Sequence, residues 1–120
     1  MASENIEFDI SILPACLSNV PEDEFCVYGT VHADPEHADT LETVYAITTH
    51  IAKFEPGVVY YCTSRDTEDP TVFHFFARFA GREAFFAHLS QPDVQKLMKK
   101  EHIKDMSAKF VKPILPVWPG

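Results

Sequence analysis

The stretch "VFHFFARF", Val72 to Phe79, decides the fold. Its aromatic and β-branched content is that of a strand, and side chains alternate along a strand, so Phe73, Phe75, Ala77 and Phe79 share one face while His74, Phe76 and Arg78 share the other. Aromatic rings therefore stand on both faces, and both faces need cover. In a chain of 120 residues helices can shield one face of an antiparallel sheet. The second face calls for another layer, most simply the sheet of a second subunit, because an uncovered aromatic row is an aggregation hazard.

Working outward, "DTEDP" before this strand is rich in turn formers and joins it to a preceding strand, Val58 to Arg65, as a hairpin. "EPG", Glu55 to Gly57, ends a helix that starts after Asp34 and Pro35 and runs to about Phe54; Pro56 cannot continue it and Gly57 suits the turn. Leu41, Val44, Thr48 and Ile51, with Tyr45 and Ala52 beside them, give that helix its inward stripe. A first strand covers Phe25 to Ala33. After Phe79 a short helix "REAFFAHL" is followed by a second, opened by Ser90 and running to about Met106, and a last strand lies near Phe110 to Leu115. The order strand, helix, strand, strand, helix, strand predicts a ferredoxin-like βαββαβ antiparallel sheet of α+β class. Residues 25–120 form this domain. Residues 1–24 form an N-terminal arm, in which Ile6, Phe8, Ile10 and Ile12 alternate with polar residues as in a possible extra strand.

Composition narrows the class of function. One domain with 46% apolar residues has a real core, no run of 18 apolar residues crosses a membrane, and the first residues lack the pattern of a secretory signal, which predicts a cytoplasmic protein. Cys16, Cys26 and Cys62 are odd in number and widely spaced, so neither a disulfide framework nor a thiolate zinc site is expected. The net charge is −8, with ten acids and no Lys or Arg in residues 1–52, and the lysines near residues 96–112 are interleaved with Glu101 and Asp105. That is the pattern of a solvated helix face, and nucleic acid is not an expected partner. No G-x-G-x-x-G, phosphate loop or G-x-S-x-G elbow occurs, which sets aside nucleotide-dependent and serine-hydrolase chemistry.

Over residues 25 to 117 the chain resembles the antibiotic biosynthesis monooxygenase family of the dimeric α+β barrel superfamily. The resemblance rests on "EPGVVYYCTSRDTEDP" followed by "FHFFARFAGREAFFAHLSQPDV", in that order and spacing. It implies a homodimer with two sheets packed face to face, forming a dimeric α+β barrel, and a pocket in each subunit between sheet and helices. The activity it implies is oxidation of a small aromatic or polyketide-like substrate with no metal or other cofactor; the alternatives are an isomerase, cyclase or decarboxylase on the same scaffold, or a non-catalytic metabolite-binding or stress-related dimer. The chain departs from the common pattern on the third core strand, where Ala77 and Phe79 replace a Glu and a Trp. Haem-degrading relatives use a tryptophan near the end of the short helix; here that region holds His88, and the only tryptophan is Trp118.

Oxidation without a cofactor needs a base, an anion partner and a dry aromatic pocket. His88, at the family's A-H-L position, is the expected base; its alternative role is a packed, hydrogen-bonded core histidine. Tyr61 fits the family's strand tyrosine and is the expected anion partner, with Tyr60 pointing the other way. His74, Phe76 and Arg78 line the pocket if their face meets the helices, and lie at the interface if it meets a partner subunit. Tyr28 and His32, on one face of the first strand, and Phe85, next to Phe86 on the short helix, complete the expected substrate-binding set. His32 and His37 have no further ligands in a metal-binding pattern, so no metal site is expected.

Overall fold

The computed structural model describes residues 19–97 and 102–120; the alternating stretch Ile6 to Ile12 and Cys16 lie outside them. Four antiparallel strands, β1 (Phe25–Ala33), β2 (Val58–Arg65), β3 (Val72–Phe79) and β4 (Ile103–Val111), form one sheet in the order β2-β3-β1-β4. Three helices, α1 (Ala38–Ala52), α2 (Arg82–Leu89) and α3 (Pro92–Leu97), supply the residues packed against one of its faces. This is the ferredoxin-like arrangement that the element order predicts. Among the described residues no helix is long and apolar enough to cross a membrane.

Local chemistry sets the boundaries. The Asp34 carboxylate accepts the Glu36 N–H, and Pro35 opens a single 3-10 turn (Pro35–His37) that leads into α1. The buried stripe of α1 is Leu41, Tyr45, Thr48 and Ala52; Val44 and Ile51 lie at its flank, so the inward face is rotated by about one residue from the expected one. In the hairpin, Asp66 accepts the N–H groups of Glu68 and Asp69, and Arg65 Nε donates to the Pro70 carbonyl. That tight loop fixes the register in which Arg65 faces Phe73, and with it the face of every residue on β3.

The second half of the chain differs from the expected reading. The second helix ends at Leu97 within the described residues, and Met106 is not helical: it belongs to β4, which starts at Ile103 and ends at Val111 rather than at Leu115. Lys104, Asp105 and Lys109 disguise a period-2 pattern in which Met106, Ala108 and Phe110 turn inward, and pairing with β1 overrides the helix propensity of the lysine-rich run. Pro113 and Pro116 prevent the strand from continuing.

Two apolar clusters make the core. One gathers Phe25, Val27, Phe79, Phe85, Leu89 and Val94, in which the Phe85 ring meets Phe25 edge-on at 5.6 Å and Phe79 at 5.1 Å between centroids. The other joins Val31, Leu41, Tyr45 and Phe73. Phe75 and Met106 touch both clusters. Gly29 makes room for Phe75: a Cβ there would strike the Ser107 carbonyl oxygen and come within 2.9 Å of Phe75 Cζ.

A candidate active site between the two clusters

The region between the clusters holds a cavity of about 70 Å³, lined almost entirely by apolar side chains, with the His88 imidazole and the rings of Tyr61 and Tyr45 in its wall. Three local features bring the polar groups there.

The first is the turn at Glu55-Pro56-Gly57. Gly57 adopts φ +85°, and a Cβ on it would lie 2.6 Å from Ala84 Cβ on α2. The bare backbone thus lets the end of α1 rest against α2 one turn before His88. Glu55 then reaches the imidazole, with His88 Nδ1 lying 3.2 Å from Oε1 and 3.1 Å from Oε2. Both side chains are buried, 4% and 8% exposed for His88 and Glu55. The Gly57→Ala variant is expected to lose about 1–3 kcal/mol of stability from the strained backbone and the close contact, measured by urea unfolding. The His88 ring resonances should shift as the carboxylate withdraws; an unchanged spectrum would contradict this role of Gly57.

The second feature is a β-bulge in β2. Val58 faces Phe79 and Tyr60 faces Arg78, leaving Val59 as the extra residue, after which Tyr61 faces Ala77. Val58 and Tyr61 consequently both turn toward the helices, whereas Tyr60 is exposed on the opposite face. The Tyr61 ring lies 4.8 Å from the His88 ring, and the Phe79 ring lies 5.5 Å from it.

The third is Thr48 on the inner stripe of α1. Its hydroxyl donates to the Tyr45 carbonyl at 3.1 Å. Burial pushes the Tyr61 phenol up to about 12, opposed by the nearby Thr48 hydroxyl and reinforced by the negative charge of Glu55. Tyr45 is raised as well, by burial and by its neighbour Tyr61. Both phenols are more weakly acidic folded than unfolded, so this contribution to stability is complete below about pH 10 and is lost as pH rises toward 12, on the order of 1.4 kcal/mol per pH unit per tyrosine. Urea midpoints at pH 9, 10 and 11 should fall with this sign. The slope should be shallower in Tyr61→Phe, and an identical slope would show that Tyr61 does not contribute.

A carboxylate on Nδ1 holds the imidazole in the tautomer whose proton sits on Nδ1, and leaves the Nε2 lone pair as a base. Thr48, Tyr61, His88 and Glu55 form a short polar run inside an apolar wall. The sequence reading did not single out Glu55, which it treated only as part of a helix stop, or the hydroxyl of Thr48, which it placed on the core stripe. The visible signal was the "EPG" turn, whose acidic residue sits next to the glycine that allows the close approach.

Of the candidate residues, His88, Tyr61 and Phe85 line this cavity. The other five do not reach it. The hairpin register turns Phe73, Phe75, Ala77 and Phe79 to the helices, which places His74, Phe76 and Arg78 on the uncovered face, with Tyr28 opposite Phe76. There His74 bonds Thr30 through Nδ1 at 3.2 Å and Asp66 through Nε2 at 2.9 Å. Arg78 Nε donates to Glu24 at 2.6 Å, and His32 pairs with Asp105 across β1 and β4. The His74 hydrogen bond, joined by the N–H groups of Asp69 and Glu68, holds the Asp66 carboxyl below the usual carboxylate range. Among the described residues no three His, Cys, Asp or Glu side chains are grouped to hold a metal ion. His37 lies against the His102 ring at 5.0 Å.

A ferredoxin-like α+β domain with an aromatic interior site and a buried His–Glu pair is the class that fold and geometry define. Within it, the chain belongs to the antibiotic biosynthesis monooxygenase family, whose profile matches residues 24–100. Solved structures give the same fold. The protein PA3566 of Pseudomonas aeruginosa is 15% identical with a TM-score of 0.69, covering 81% of this chain and 100% of that one. SO0527 of Shewanella oneidensis is 14% identical with a TM-score of 0.64, over 77% and 92%. A further structure, described as an antibiotic biosynthesis monooxygenase, is 20% identical with a TM-score of 0.66, over 76% and 99%. Among curated proteins none matches the chain.

Proposed function

We propose that the protein is a small homodimeric enzyme that oxidises an aromatic or polyketide-like metabolite with O₂ and no cofactor. The observation that carries this reading is the His88–Glu55 pair, buried beside Tyr61 in the wall of an apolar cavity. His88 Nε2 takes a proton from an activated CH₂ or phenol, Glu55 steadies the imidazolium, and the Tyr61 hydroxyl donates to the substrate anion. For a ring CH₂, one oxygen atom of O₂ enters as a carbonyl. The other leaves as water with the two hydrogens, so the substrate itself supplies the electrons.

A cavity of about 70 Å³ is small for this task. Benzene is held by an engineered cavity of about 150 Å³, so a ring substrate must widen this one. Met106 in its wall is unbranched and adaptable, which makes it the cheapest part to move. The homodimer reading is supported by the uncovered sheet face, where Tyr28, Tyr60 and Phe76 are exposed and the Tyr60 and Phe76 rings meet at 5.8 Å. His74 and Arg78 then serve the interface rather than the substrate.

Oxygen uptake by the metal-free protein with an anthrone or quinol tests the proposal. Uptake above the buffer rate supports it, and none with any substrate of that class sinks it. Turnover that persists without oxygen would identify an isomerase, cyclase or decarboxylase working through the same base.

A further inference from the structure

The segment that follows β4 carries large apolar side chains in solvent: Ile114 is 96% exposed, Val117 85% and Trp118 86%. Solvated apolar groups on this scale mark a surface that meets something else. The sequence "KPILPVWPG" places prolines at 113, 116 and 119, and the segment has no regular secondary structure. Each proline lacks an N–H, so the segment cannot extend a sheet as a hydrogen-bonded strand. Proline at every third position suits the left-handed polyproline helix of three residues per turn. In that form Leu115 and Trp118 fall on one edge and Ile114 and Val117 on another, leaving the backbone carbonyls open. Such ribbons lose little entropy on docking, and they dock on aromatic surfaces by side-chain burial and hydrogen bonds from tyrosine hydroxyls.

The uncovered sheet face is a surface of that chemistry. Tyr28 stands opposite Phe76, Phe76 meets Tyr60, and Tyr60 lies on the edge strand β2, half exposed at the rim. The segment starts at the border of the same face. Val111, the last residue of β4, pairs with Cys26, Cys26 with Arg78, and Arg78 with Tyr60, so these four form one row across the end of the sheet. The side chains beyond it then stand exposed and do not pack on their own sheet. A second copy stacked on this face would meet the segment at its root.

We infer that residues 113–119 form an arm that lies across a second copy of this chain, with Leu115 and Trp118 against the Tyr60 rim of its sheet. This inference rests on the homodimer reading above. Trp118 is the only tryptophan, so its emission reports the arm alone. Emission and mass are measured on the full chain over the same dilution series. The expected result is an emission maximum that moves to shorter wavelength in step with dimer formation. Ending the chain after Lys112 should weaken the dimer at least tenfold, and Tyr60→Ser should return the Trp118 emission toward that of solvated tryptophan while the dimer persists. Emission that stays constant while the mass doubles, or that is already blue-shifted in the monomer, overturns the arm and leaves the dimer standing. A monomer at every concentration overturns the dimer, and the arm with it.

Discussion

Turnover by the His88→Asn variant is expected to fall by about 10²–10⁴-fold, the range over which a positioned general base contributes. The substitution removes the Nε2 lone pair while keeping a polar side chain that can still meet Glu55. Glu55→Gln is expected to lose less, about 10–100-fold, because in the proposed mechanism Glu55 only orients the imidazole and steadies its charge. A His88→Asn enzyme with unchanged kcat would reduce the pair to a packing feature.

Phe79→Ala is expected to cost about 3–5 kcal/mol, the usual loss when a fully buried phenylalanine is truncated. Phe79 is 1% exposed and its ring touches those of Phe25, Phe85 and His88. Removing it opens the core cluster into the cavity and takes away a ring that packs by the imidazole. Phe76→Ala, three residues away on the opposite face of the strand and half exposed, should change the stability of the single subunit by less than about 1 kcal/mol and weaken the proposed self-association instead. Thermal and denaturant unfolding separate the two variants. Equal losses from both would mean that the two faces of β3 are not the unlike surfaces described above.

The contrast between Phe79 and Phe76 was legible in the alternation of "VFHFFARF"; which set faced the helices was not. Parity along one strand is local, but its sense depends on where the hairpin turns, and that is fixed by Asp66, Arg65 and the Pro70 carbonyl acting together. The ferredoxin-like order was readable because each helix end and turn carried its own chemistry, from Asp34-Pro35 to Pro56-Gly57. β4 is illegible for the opposite reason: its charged residues Lys104, Asp105 and Lys109 do not alternate regularly, and only the partner strand β1 distinguishes the pattern from a helix. His88 and Tyr61 were marked by the family motif. Glu55 meets His88 across 33 residues of sequence, and no local pattern announces such a contact.

The extra residue Val59 has a consequence for how this site can be altered. Glu55 and Tyr61 stand on opposite sides of it, and a bulge bends its strand. Deleting Val59 would leave Val58 and Tyr61 facing the same way in an ordinary ladder, yet straighten the strand between the Glu55 turn and Tyr61. One half-exposed residue thus serves as a spacer between the turn that carries the carboxylate and the phenol. Changing its count, rather than its chemistry, is a way to tune how Tyr61 sits relative to that turn while every side chain of the cavity stays as it is.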